Sequence, residues 1–186
     1  MANRLSKARV FSVLDAKNEF SQVQLDNKSS YLTTFNAPFG RYRWLRLPFG
    51  IKTAPQEYQR RIQESLHNLN CIEDIVHDIL CVGEGDTYEN AVEDHDKSLI
   101  ALLKRCREKN IKLNTKKLRL RKQEVPYIGH FLTPDGFKPD PNKVKAILEM
   151  PNPTEKQSLQ RLLGMITYIA KFLPNLLDVT ELWDVF

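Results

Sequence analysis

Residues 71–82 read Cys-Ile-Glu-Asp-Ile-Val-His-Asp-Ile-Leu-Cys-Val, two short apolar runs that meet at a polar pair, His77 and Asp78. Such a pattern is that of a β-hairpin. Tight hairpin turns normally take Asn-Gly, Asp-Gly or another glycine pair, because their central residues need positive φ. His-Asp is a poor choice on those grounds, which points to a reason other than turn chemistry. A carboxylate flanked by Ile75, Val76, Ile79 and Leu80 is held on a rigid support, where it can ligate a metal ion. A second carboxylate, Asp15, ends the run Arg-Val-Phe-Ser-Val-Leu-Asp, another buried-strand pattern. Two strand-end aspartates can meet over one ion site.

Further along the chain, residues 31–36 and 41–47 read as strands joined by the turn Ala37-Pro38-Phe39-Gly40. In the second of these, Arg41, Arg43 and Arg46 interleave with Tyr42 and Trp44. That string suits base stacking and phosphate contact, and equally suits exposed cations beside buried aromatics on a sheet. Thr53 and Gln56 have capping-box spacing with Pro55 in the first turn, predicting a helix to about Leu66. Residues 86–110 read as a long helix with Leu99, Leu102, Leu103 and Cys106 on its core stripe. Strands are expected over 111–120 and 125–132, the second followed by the turn Thr133-Pro134-Asp135-Gly136. Two helices follow, over 142–150 and after Thr154, where Thr154 and Gln157 have cap spacing and Leu159, Leu162, Leu163, Ile166, Ile169, Ala170 and Leu173 form an apolar stripe.

With 186 residues and 41% hydrophobic content, the chain can bury a real core. Its formal charge of +5 permits a nucleic-acid partner without requiring one. The charge is unevenly spread: the charges within residues 84–96 are almost all acidic, and residues 104–122 hold ten basic side chains against Glu108. The helix macrodipole accounts for part of that asymmetry. Three cysteines, Cys71, Cys81 and Cys106, have neither disulfide-framework nor zinc spacing, so free thiols in a reducing compartment are expected. No stretch approaches the ~18 apolar residues of a membrane helix. The expected location is intracellular, cytoplasmic or nuclear, with no membrane partner.

Four stretches together resemble the reverse transcriptase of gypsy-type long-terminal-repeat retrotransposon Pol polyproteins. They are the hairpin around Val76-His77-Asp78-Ile79, the run from Phe35 to Pro55, Lys-Leu-Asn-Thr-Lys-Lys-Leu-Arg-Leu at 112–120, and Tyr-Ile-Gly-His-Phe-Leu-Thr-Pro-Asp-Gly at 127–136. The resemblance implies an α+β fold, a right-hand polymerase palm with an antiparallel sheet and helices packed on one face, partial fingers and a helical thumb. Residues 1–135 would form the palm with partial fingers, and 136–186 the thumb-like segment. Only 14 residues precede Asp15, so most of the fingers are expected to be missing, and nothing after Leu177 resembles a ribonuclease H domain.

The same resemblance implies roles for individual residues. Asp15 and Asp78 would hold two magnesium ions, and His77 stands where the family has the first aspartate of a pair. Phe20 resembles the aromatic gate under the nucleotide sugar, with a core phenylalanine as the alternative. Pro48, Phe49 and Gly50 would lie against the incoming nucleotide. Tyr127, Ile128, Gly129 and His130 stand in the place of the primer grip, His130 as a structural or primer-contacting residue, and Lys112 and Lys116 would meet the template–primer. The implied partners are an RNA/DNA template–primer and deoxynucleoside triphosphates, and the oligomeric state is left open.

Two-metal nucleotidyl transfer places its ions about 3.5–4 Å apart, which concentrates positive charge that carboxylates must offset. Magnesium prefers hard oxygen donors, whereas imidazole suits zinc, copper and iron. His77 therefore removes an anionic ligand without replacing it in kind. Asp74 shares the parity of Asp78, but four residues at about 3.3 Å each put it about 13 Å away along an extended chain. Glu19 is the remaining candidate for a third anion. Polymerase activity is expected to be absent or barely measurable, with a non-catalytic nucleic-acid-binding protein or an unselected gene relic as the alternative.

Overall fold

A computed structural model of the chain describes residues 7–75, 78–127 and 129–172. Its centre is β1 (Ala8–Asp15), which is buried at every position except Arg9. β1 runs antiparallel to β5 (Asp78–Glu84) on one side and to β6 (Arg119–Lys122) on the other. β4 (Ile72–Ile75) completes a four-stranded sheet in the order β4-β5-β1-β6. The expected hairpin is formed by β4 and β5, with Ile75 paired to Asp78. Val76 and His77, which join those residues in sequence, lie outside the described residues.

Alternation along β1 and β5 divides the core in two. Leu14, Ile79 and Cys81 face α3 (Ala54–Leu66) and α4 (Tyr88–Glu108), where Tyr58, Ile62, Leu66, Leu102 and Cys106 meet them. On the other face Phe11, Val13, Leu80 and Val82 pack against Val125, Tyr127 and Leu132. Those three belong to a second sheet, β7 (Val125–Tyr127), β8 (His130–Thr133) and β9 (Gly136–Pro139). Gly83 lets α4 lie directly on β5, since a Cβ there would stand 2.1 Å from the Ala91 carbonyl oxygen and 2.4 Å from the His95 Cβ. The antiparallel sheet with helices on one face matches the expected palm.

Several local expectations are corrected. Residues 27–32 form a short helix, α2 (Asn27–Leu32), because Asp26 caps it by accepting from the Ser29 backbone N–H at 2.7 Å. The strands on either side of the 37–40 turn are only Phe35–Ala37 and Gly40–Tyr42, β2 and β3. Beyond Tyr42 the backbone leaves that pair and bonds elsewhere: Leu47 N–H donates to the Val23 carbonyl and Leu25 N–H to the Leu45 carbonyl.

α3 begins at Ala54 with Thr53 in a helical conformation that places no side-chain cap, so the expected capping box does not form. α4 starts after Thr87, whose hydroxyl accepts from the Asn90 N–H. Leu103 is exposed; the core stripe runs through Ala91, His95, Leu102 and Cys106, with Leu99 partly buried.

Residues 111–118 are not a strand. Leu113 makes a single bridge to Ala16, after which the chain turns, with the Lys117 N–H donating to the Asn114 carbonyl. Likewise 125–132 is a hairpin, Tyr127 pairing with His130, and Gly129 at φ +74 supplies the positive φ that a tight turn needs. The 133–136 turn closes β8 onto β9 through the Thr133–Gly136 pair, as expected.

Two helices end the described chain. Asp140 caps α5 (Pro141–Leu148), and Glu155 with Ser158, rather than Thr154 with Gln157, forms the capping box of α6 (Lys156–Ile169). The α6 stripe is half-buried, apart from Ile169, which is buried, and its expected last member, Leu173, lies outside the described residues. No helix among the described residues is long and apolar enough to cross a membrane.

Candidate carboxylate site

Asp15 and Asp78 end the same ladder. They are paired directly across β1 and β5, and register places both on the face of Val13 and Leu80, toward the β7–β8 hairpin. Directly opposed residues of an antiparallel pair have Cβ atoms about 4.5–5.5 Å apart. The expected meeting of two strand-end carboxylates is therefore present. Asp78, Asp15, Val13, Lys116, Lys117, Tyr127 and Gly129 line a cavity of about 510 Å³. A neighbouring cavity of about 600 Å³ shares Asp15, Lys116 and Lys117 and is bordered by Glu19 and Asn114.

The Asp15 carboxylate is occupied from within the chain. Asn114 Nδ2 donates to its Oδ1 at 3.3 Å and Lys117 Nζ to its Oδ2 at 3.0 Å. Its side chain is only 10% exposed, whereas that of Lys117 is 64% exposed. Asp15 above all, then Asp78 and Glu19, holds the Lys117 ammonium above the ordinary lysine range. The lysine is delivered by the turn at 114–117, where Asn114 N–H donates to the Asp15 carbonyl at 2.8 Å and Lys116 N–H to Asn114 Oδ1 at 3.2 Å. Side chain and backbone thus wrap the end of β1 together.

Asp74 does not face Asp78. Their equal parity applies to one straight strand; across the hairpin Asp74 pairs with Ile79 and so lies on the helix side. There its Oδ2 accepts from Gln59 of α3 at 2.6 Å, and burial pushes its carboxyl above the ordinary range. Glu73 is the β4 carboxylate that shares the Asp78 face, opposite Leu80. Glu19 borders the Asp15 cavity without completing a cage. Among the described residues, no group of three His, Cys, Asp or Glu side chains is placed to hold a metal ion. Among the described residues the donor set is two carboxylates that face each other, one of them bound by an ammonium. His77 lies outside the described residues.

The residues expected near a nucleotide come together in part. Phe20 sits edge-on to Phe49 at 5.2 Å and to Tyr58 at 6.1 Å, at the margin of the helix-side core. Phe20 thus packs on the core, as one of the two expectations has it, and also touches the exposed Phe49. Pro48 is half-buried, and Gly50 at φ +91 opens onto free space, a conformation that favours glycine.

Of the residues in the place of the primer grip, Tyr127 and Gly129 line the carboxylate cavity and Ile128 lies outside the described residues. Burial first, then the charges of Glu73, Asp74 and Asp78, raises the Tyr127 phenol. His130 is buried and stacks on Tyr168 at 4.8 Å. Lys116 lines both cavities. Lys112 is held through its backbone, donating to Gln22 Oε1 and accepting from the Lys17 N–H, and borders a separate cavity with Lys17, Gln22 and Arg46.

Three contributors escaped sequence reasoning. Asn114 and Lys117 sit inside the 112–120 motif, but a strand assigned there hid the turn that aims them. Tyr168 donates to the Gly129 carbonyl at 2.6 Å with Lys143 Nζ 3.8 Å over its ring, a contact no local pattern announces. Elsewhere, Ser12, His95 and Asp96 line up in the order of a hydrolytic triad. Asp96 faces His95 Nδ1, so that nitrogen carries the proton and Nε2 accepts from the Ser12 hydroxyl, 2.8 Å away. Ser12 Oγ in turn accepts from the Arg121 N–H at 3.0 Å. Both Ser12 and His95 are fully buried, so this network ties β1, β6 and α4 together and reaches no substrate.

Comparison with known proteins agrees with this geometry. The family described as reverse transcriptase (RNA-dependent DNA polymerase) matches residues 1–132. The retrovirus-related Pol polyprotein from transposon 297 of Drosophila melanogaster is 33% identical over 96% of the chain, which covers 16% of that polyprotein. The enzymatic polyprotein of Cauliflower mosaic virus (strain NY8153) is 33% identical over 93% of the chain and 25% of the polyprotein. The chain thus spans a quarter or less of these relatives. Among solved structures, a foamy viral protease-reverse transcriptase in complex with RNA/DNA hybrid aligns with a TM-score of 0.78 and 25% identity, over 93% of this chain and 23% of that one. A second foamy viral protease-reverse transcriptase, in complex with double-stranded DNA, shares the fold with a TM-score of 0.83 at 24% identity, over 94% of this chain and 30% of that one. A sheet built on two opposed strand-end aspartates, matched by the family over most of its length, makes this chain a member of the reverse transcriptase (RNA-dependent DNA polymerase) family.

Proposed function

We propose that the chain is the template-holding part of an RNA-directed DNA polymerase from a retrotransposon Pol polyprotein, with nucleotidyl transfer lost or severely impaired. One observation carries the reading: Asp15 and Asp78 face each other on the sheet surface whose cavity is bordered by Tyr127 and Gly129. An RNA/DNA template–primer occupies that surface, a reading supported by the foamy viral protease-reverse transcriptase of like fold having been solved in complex with RNA/DNA hybrid. Deoxynucleoside triphosphates are the small ligands of the intact activity, and Phe20, Phe49 and Gly50 form their pocket wall. Residues 1–135 act as palm with partial fingers and 136–186 as the thumb.

Loss of chemistry is supported by charge. The family pattern supplies three aspartates for two magnesium ions, and this sequence supplies Asp15 and Asp78 with an imidazole residue at position 77. Removing even an outer-shell partner of a metal ligand typically costs about 10- to 100-fold, so removing a ligand itself costs more.

Primer extension with purified protein, in magnesium or manganese, tests the reading. The expected result is no extension, with salt-dependent retention of a labelled RNA/DNA hybrid. Template-directed extension that Asp15→Ala abolishes would refute the loss of activity. Failure to retain the hybrid at low salt would refute the template-holding role. Recovery of extension in His77→Asp would locate the defect at that position.

A further inference from the structure

The carboxylate pair already has a cation. We infer that Lys117 is the resident counter-ion of Asp15 and Asp78, and that a divalent metal ion enters this site only by displacing its ammonium. The inference rests on the proposed polymerase ancestry of the site and adds what now occupies it.

Three features support it. Both Asp15 oxygens are engaged, Oδ2 by Lys117 Nζ at 3.0 Å and Oδ1 by Asn114 at 3.3 Å, so an incoming ion meets a carboxylate that already shares both oxygens and whose charge is already matched. The turn that carries the lysine is held to the end of β1 by backbone bonds, which keep the base of its side chain within reach of Asp15: the Asn114 N–H bonds the Asp15 carbonyl and the Lys117 N–H bonds the Asn114 carbonyl. Compensation is electrostatic as well as local. Two carboxylates directly opposed across a ladder repel each other, and one ammonium between strand end and turn relieves that repulsion. Magnesium sheds its water reluctantly and needs several oxygen donors. With two carboxylates, and without a third side-chain ligand among the described residues, its advantage over a tethered ammonium is reduced.

Because the Lys117 side chain is largely exposed, it can swing into solvent when displaced, so the competition is real but modest. Exposed pairs of this kind shift a competing equilibrium by no more than about fivefold.

Manganese serves as the probe, titrated into the whole chain at about 0.15 M salt and followed by the loss of its free-ion electron paramagnetic resonance signal. Lys117→Ala is expected to tighten manganese binding about fivefold, and Lys117→Arg to leave it as in the unaltered chain. Lys17→Ala is the charge control, since Lys17 lines the same cavity as Asp15 and removes an equal charge. It is expected to change binding less than twofold. Asp15→Asn in the Lys117→Ala background should abolish the gain, which ties it to this carboxylate. The inference is overturned if Lys117→Ala leaves manganese binding unchanged or weakens it, or if Lys17→Ala strengthens it equally. Circular dichroism on each variant separates unfolding from a change in affinity. Hybrid retention is a separate readout, so loss of the template-holding role and loss of the counter-ion role are told apart.

Discussion

Gly129 and Tyr168 offer a quantitative test of how the C-terminal helices are seated. Replacing Gly129 by alanine has two separable costs. The backbone sits at φ +74, where a Cβ costs about 1–2 kcal/mol. The new Cβ would also stand 1.9 Å from the Tyr168 hydroxyl, which now donates to the Gly129 carbonyl at 2.6 Å. The hydroxyl is the far end of a side chain and can retreat, so the second cost is the lost hydrogen bond, about 1 kcal/mol. Gly129→Ala should therefore destabilise by roughly 2–3 kcal/mol and Tyr168→Phe by about 1 kcal/mol. Because both variants break the same bond, the double variant should cost about as much as Gly129→Ala alone. The coupling between them is then about 1 kcal/mol. Urea unfolding of the four proteins, read by far-ultraviolet circular dichroism, measures all three quantities. Strictly additive costs would refute the reasoning, because they would mean that the hydroxyl and the new methyl group never compete for one place.

Other expectations follow from burial and charge. Burial pushes the Cys81 thiol up to about 12 and the Cys106 thiol up to about 11, so an aromatic disulfide reagent at pH 8 should label half-buried Cys71 first and the other two only on unfolding. Hydrogen bonds from Arg121 hold the Asp96 carboxyl below its ordinary range, and those from Arg60 and Arg61 bring Glu57 to about 2. Both groups are depressed in the folded state. Their stabilisation is present above pH 4–5 and is lost as the pH falls toward 2, so Asp96→Asn should flatten the acid limb of a urea-midpoint profile. Ser12→Ala strands the buried His95 Nε2 and should destabilise by about 1–3 kcal/mol, measured by the same unfolding assay. Leu102→Ala empties a fully buried position between α4 and the sheet, with an expected cost of about 2–5 kcal/mol in urea.

Much of this architecture is legible in the amino-acid order because a few elements state themselves twice. β1 has an alternating core pattern and ends in a carboxylate; α4 has an apolar stripe, an acidic start and a basic end. Such agreement between period and termini is what local sequence can encode. Two of the departures share a cause, which is that strand parity does not carry across points where the chain turns. At 111–118, Leu113 and Leu118 suggest a strand, yet Asn114 turns the backbone to bond the end of β1. With that turn unseen, Lys116 and Lys112 were indistinguishable from Lys117 as partners for the site. Counting residues puts Asp74 on the face of Asp78, but the pairing of Ile75 with Asp78 reverses the count. Tyr31 lies in a helix because Asp26, five positions earlier, supplies a cap that outweighs the strand preference of an aromatic residue. Contacts such as Tyr168 on Gly129 join residues 39 positions apart and have no local signature.

Fold and chemistry in this chain depend on different residues and on different length scales of interaction. The fold is carried by a dozen or more buried apolar side chains drawn from β1, β5, α3, α4 and the β7–β9 sheet, each contributing through area removed from water. None of those contributions requires an aspartate at position 77, so a family member can lose that carboxylate and keep its sheet, its register and the Asp15–Asp78 pairing. The chemistry depends on net charge within a few ångströms, where one substitution changes the balance by a full unit. Losing one anion leaves two, and a lysine already bound to one of them lowers the local charge further. The exchange of a mobile divalent ion for a tethered ammonium then costs little structurally, because both neutralise the same strand ends. That asymmetry predicts which substitutions such a chain tolerates: Lys117→Met alone leaves Asp15 and Asp78 opposed without a cation and should lower the urea midpoint, whereas adding Asp15→Asn removes their mutual repulsion and should bring the midpoint back toward that of the unaltered chain.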